Sequence, residues 1–149
     1  MDHNGCPESP KTKKSLDCWL QMIRTYDYLQ AQVATLLQRH NLTVPQFEVL
    51  STLAIADCTT QQELAHRLQV TKGNLVGLID RLTERGWVER VQVQGDRRVN
   101  RVRITEGGKE LLTKAFPEQV GAVETMMSGL EETELDSLRG LLQKLAKND

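Results

Sequence analysis

Nine lysines and arginines fall between Thr60 and Thr105: Arg67, Lys72, Arg81, Arg85, Arg90, Arg97, Arg98, Arg101 and Arg103. Five acids share that stretch, so it carries +4 in a chain of net charge −1, leaving −5 on the remainder. One basic region on an otherwise acidic chain directs that region at a polyanion. The neighbours of these cations suit nucleic acid. Asn74 has the paired donor and acceptor that match an adenine edge. Thr71 and Lys72 stand where a helix begins and can meet phosphates or bases with the free N–H groups there. Arg97 falls in a turn-forming stretch at a basic tip, and Arg101 and Arg103 are spaced to touch phosphates.

Two short helices and a hairpin must position these groups. Thr60-Gln-Gln-Glu63 has the spacing of a capping box. Leu64, Ala65 and Leu68 follow on one face, and Leu68-Gln69-Val70 makes a turn. Thr71 caps a second helix whose Leu75, Leu78, Ile79 and Leu82 face inward. Lys72, Asn74, Val76, Gly77, Asp80, Arg81 and Glu84 share its other face, and Gly86 marks its end. Trp87–Val91 reads as a strand, Gln94–Arg98 as a turn, and Arg101–Ile104 as a strand with both arginines outward. Gly73 and Gly77 are unexpected within a helix, where each costs roughly 0.5–1 kcal/mol against alanine. Four residues apart, they share a face, which either permits close approach of DNA backbone or base edges or is a tolerated defect in a well-packed helix.

Helix, turn, helix and basic hairpin in this order resemble the MarR family of bacterial transcriptional regulators. The resemblance is carried by Thr71-Lys-Gly-Asn-Leu75, Leu78-Ile-Asp-Arg-Leu82 and Arg85-Gly-Trp-Val-Glu-Arg90. It continues through Asp96-Arg97 to Val102, Ile104, Thr105 and Gly108, which match the family's hairpin signature. Upstream, Leu42-Thr43, Gln46-Phe47 and Val49-Leu50 also fit, and roughly residues 15–147 are covered. It implies a mainly α (α+β) fold: a winged helix–turn–helix lobe over residues 43–105, with helices from 15–42 and 106–149 forming a homodimer. It further implies a repressor of double-stranded DNA at a near-palindromic operator, and a salt bridge between Asp80 and Arg98 that sets the angle of the hairpin, or wing.

The rest of the chain narrows the alternatives. At 149 residues it is one domain-sized unit. No apolar run reaches membrane-spanning length and Met1–Pro7 has no signal core, so a cytoplasmic protein without membrane contact is expected. Three cysteines without a close pair do not make a disulfide framework. His3, His40 and His66 lack metal-ligand spacing. No carboxylate pair, nucleophile set or nucleotide loop appears, and Gly107-Gly108 is only a helix start, so neither catalytic residues nor a cofactor is expected. A winged helix serving as a protein-interaction module is the competing class; its mainly apolar contacts would lack the salt dependence of phosphate binding.

Residues 1–14 read as a mobile polar arm. A long helix is expected from Ser15 to His40, with an apolar stripe including Leu16, Trp19, Leu20, Ile23 and Tyr26. Thr43 and Gln46 form another capping box, Leu42 and Phe47 a hydrophobic staple, and Pro45 fits the first turn. Helices are expected after Thr105 and after Glu132, separated by Ser128-Gly129. The family resemblance implies two kinds of signal input. Trp19, Met22 and Tyr26 are candidates to line a cleft for a small aromatic or apolar effector, against plain core packing. Cys18 is the candidate redox thiol, against burial as an inert side chain; neighbouring Asp17 offers it no positive field.

Overall fold

The computed structural model describes residues 9–56, 58–93 and 96–146, with the side chains of 93–100 left outside the description. The element order is α1 (Pro10–Gln38), α2 (Val44–Ala56), β1 (Cys58–Thr60), α3 (Gln61–Arg67), α4 (Lys72–Glu84), β2 (Val88–Val93), β3 (Asp96–Ile104), α5 (Glu106–Met127) and α6 (Glu132–Ala146). Helix α1 begins five residues before the expected Ser15. Pro10 opens it, where the missing N–H costs nothing. Of the polar arm, residues 1–8 lie outside the described residues.

Local chemistry sets most boundaries. Thr43 N–H donates to Gln46 Oε1 at 3.0 Å, and Gln46 N–H to Thr43 Oγ1 at 3.4 Å. Leu42 and Phe47 are both buried beneath this cap. Gln69, at φ 53°, lies in the turn between α3 and α4, and Gly86, at φ 71°, follows α4. The Gly86 N–H reaches Thr83 O and the Trp87 N–H reaches Leu82 O, satisfying carbonyls at the helix end.

The core lies in the α2–α4 and sheet region. Leu50, Leu53, Leu64, Leu75, Ile79, Leu82, Val88 and Val102 are its most enclosed side chains, joined by Leu37 from α1 and Leu112 and Ala115 from α5. The sheet is antiparallel in the order β1-β3-β2. Strand β1 has no counterpart among the expected elements: Cys58 pairs with Arg103, Thr59 with Val102 and Thr60 with Arg101. Helix α6 buries none of its residues, and along α1 only Leu37 is buried. Apolar side chains of α1, α5 and α6 stay exposed, among them Leu20, Phe116, Leu138 and Leu142.

Candidate nucleic-acid interface

Helix α4 supplies one side of the interface. Thr71 stands at its N-cap in extended backbone, and its hydroxyl accepts from Asn74 N–H at 3.3 Å. Lys72, Gly73 and Asn74 are exposed in the first turn. The added Cβ of an alanine at Gly73 would meet nothing within 4 Å, and at Gly77 only the Arg81 guanidinium at 3.7 Å. Packing within the chain therefore gives no reason for either glycine. Arg81 is exposed, and its Nε donates to Gly77 O at 3.1 Å.

The hairpin supplies the second side. Val102 and Ile104 are buried while Arg101 and Arg103 are exposed, as alternation predicts. Arg103 stands opposite Glu89 across the strands and donates to its carboxylate at 2.6 Å. Arg101 stands opposite Thr60, which brings its charge near Glu63. Glu63 accepts from the Thr60 backbone N–H at 3.0 Å and from the hydroxyls of Thr60 and Thr59 at 2.9 Å each. These bonds, aided by Arg101, hold its carboxyl at about 2, well below the usual 4.5. The side chains of Arg97 and Arg98, expected near the wing tip, lie outside the described residues.

The expected Asp80–Arg98 bridge rests on a side chain outside the described residues; among those described, Asp80 is engaged by Arg90. Arg90 of β2 donates to Asp80 Oδ1 at 2.5 Å, tying α4 to the hairpin. A further tie holds the far end of α4. Arg85 donates to Asn41 O at 2.6 Å and lies over the Trp87 ring at 4.8 Å. The 44 residues separating Arg85 from Asn41 explain why no local pattern revealed this contact.

The sequence-nominated effector residues do not all meet. A cleft of about 630 Å³ lies between α1, α2, the α3–α4 turn and α5, with Tyr26, Leu29, Val33, Phe47, Arg67 and Phe116 among its walls. Tyr26 lines it; Trp19 and Met22 do not, and both are exposed. Phe47 and Phe116 stack within it at 6.3 Å between centroids. The Ser51 hydroxyl, also in its wall, is buried without a hydrogen-bond partner among the described residues. Cys18 is exposed rather than buried, because the chain's own core takes up only the C-terminal end of α1. Among the described residues no group of His, Cys, Asp and Glu is placed to hold a metal, and no helix is long and apolar enough to cross a membrane.

A capped helix–turn–helix beside an antiparallel hairpin defines a winged-helix DNA-binding protein. Comparison with known proteins gives the family. The model described as MarR family matches residues 42–99. An uncharacterized HTH-type transcriptional regulator of Bacillus cereus is 31% identical over 131 residues, 87% of each chain. The transcriptional repressor MprA of Escherichia coli is 29% identical over 119 residues, 74% of this chain and 68% of MprA. A variant of E. coli MarR solved in complex with operator DNA superimposes with a TM-score of 0.82 at 27% identity, covering 92% of this chain and 99% of that one. The chain belongs to the MarR family. It is a DNA-binding transcriptional regulator and not an enzyme.

Proposed function

We propose that the protein is a repressor that binds a near-palindromic operator as a homodimer and is released by a small aromatic or apolar effector. The observation that carries this reading is the union of a capped, bare-faced α4 with a hairpin that exposes Arg101 and Arg103. Thr71, Lys72, Gly73, Asn74, Gly77 and Arg81 meet the major groove; Arg97 and Arg98 extend the wing, and Arg101 and Arg103 meet phosphates. The exposed apolar faces of α1, α5 and α6 support dimerisation, and two-fold symmetry in the protein matches two-fold symmetry in DNA. The mostly apolar cleft, with the unpartnered Ser51 hydroxyl in its wall, supports the effector site.

Selection of duplexes from a random pool by the purified protein, followed by titration in salt, tests this reading. The expected result is one enriched palindrome with a steep salt slope, reduced by about 1 in Arg101→Ala. Phenolic compounds should then compete with the selected DNA. Weak, sequence-independent and salt-insensitive binding would overturn the reading in favour of a protein-interaction module.

A further inference from the structure

Val76 is 42% exposed, and among the described residues it is the only large apolar side chain that α4 leaves so open. Leu75, Ile79 and Leu82 of the same helix are buried, and Leu78 is half-buried. Val76 thus stands apart from the core stripe. Valine is also a poor choice for an exposed helical position on propensity alone, since its β-branch restricts χ1. Two of its neighbours on the helix carry no side chain. Gly73 lies one turn earlier and Gly77 is the next residue, and neither glycine is required by contacts within the chain. The absence of Cβ atoms there lets the helix backbone come close to a facing surface, within reach of a side chain as short as valine.

We propose that Val76 packs against the 5-methyl group of a thymine in the major groove and so selects thymine at one position in each half-site. This rests on α4 being the helix that enters the groove. Of the groups a base pair displays there, the thymine methyl is the apolar one; the others donate or accept hydrogen bonds. Valine has no polar side-chain atom, so it reads the methyl or reads nothing. Lys72, Asn74 and Arg81 are exposed polar side chains of the same helix, which leaves Val76 as its apolar element for reading bases.

Replacement of thymine by deoxyuridine removes the methyl and leaves base pairing intact. The experiment takes the duplex enriched by the purified wild-type protein and substitutes deoxyuridine at each symmetry-related pair of thymines in turn. Affinities are measured for the wild type, Val76→Ala and Val76→Thr. One pair of positions should weaken wild-type binding by about fourfold per methyl, the factor for losing burial of one methylene-sized group. Val76→Ala should bind the thymine and deoxyuridine duplexes equally, and Val76→Thr, which keeps one methyl, should retain part of the preference. Indifference of the wild type to every replacement would overturn the proposal, as would equal sensitivity in Val76→Ala. Failure to enrich any duplex would instead refute sequence-specific binding itself, and this proposal with it.

Discussion

Asp80 of α4 and Arg90 of β2 hold each other at 2.5 Å, with both side chains partly open to solvent. The pair links the helix proposed to read DNA to the hairpin proposed to grip its backbone. Exposed ion pairs contribute little to folding, about 0–1 kcal/mol. The bond is better placed to fix the angle between the two elements. Asp80→Ala adds net positive charge, so a purely electrostatic view expects tighter DNA binding. The geometric view expects Asp80→Ala to weaken it, with Arg90→Ala adding little in the double variant. A double-mutant cycle on operator affinity should give a coupling of roughly 0.5–1 kcal/mol. Additive effects, or tighter binding by Asp80→Ala, would count against this role.

Gly108 shows what the hairpin signature does physically. An added Cβ there would collide with Trp87 O and lie 2.7 Å from Ile104 Cγ1. Its N–H donates to Thr105 Oγ1 at 3.2 Å, and that hydroxyl donates to Gly86 O at 2.6 Å. The threonine and glycine thus join the end of α4 to the start of α5. Gly108→Ala should destabilise the fold by about 1–3 kcal/mol through overpacking against backbone that cannot yield. Urea unfolding would measure this, and an unchanged midpoint would contradict the close approach.

The Glu63 cap carries a pH dependence whose sign follows from its bonds. Its carboxyl is held at about 2 in the fold against an ordinary 4.5. A lowered folded value means that the stabilisation is fully present above the unfolded value. It declines as pH falls below about 4.5 and is lost through about 2. Glu63→Gln should therefore flatten the acid limb of the stability curve in this window and leave its slope near neutrality unaltered. Denaturant midpoints across the acid range provide the check; matching acid limbs would remove the cap from the account.

The capping residues were legible because their chemistry is local. Thr60 with Glu63, Thr71, Thr105 and Gly86 all act over a few residues, so spacing alone announces them. Strand β1 was not legible: three residues carry too little alternation, and their pairing with β3 defines them. The same limit hid Arg90 as a partner of Asp80 and Arg67 as a wall of the cleft, since each depends on how separate elements pack. The apolar stripe of α1 is legible in the sequence as a periodicity. Periodicity does not say which surface covers it, and the chain's own core buries only Leu37 of α1, so Cys18 and Trp19 lie open in the single chain.

The open faces lead to the last prediction. Leu135, Leu138, Leu141, Leu142 and Leu145 of α6 are all exposed, at 38–60%. They recur at helical spacing with no buried residue elsewhere in that helix. Such a stripe is costly in water, and a second copy of the chain is the covering that the proposed two-fold DNA recognition needs. Leu142→Arg should shift the protein from dimer to monomer at micromolar concentration, as read by sedimentation velocity. Because Leu142 takes no part in the core, the α2–β3 lobe should keep its fold. Loss of the second half-site contact should weaken operator binding by more than tenfold, as expected when linked binding events become independent. A variant that stays dimeric with full affinity would place the dimer contact elsewhere.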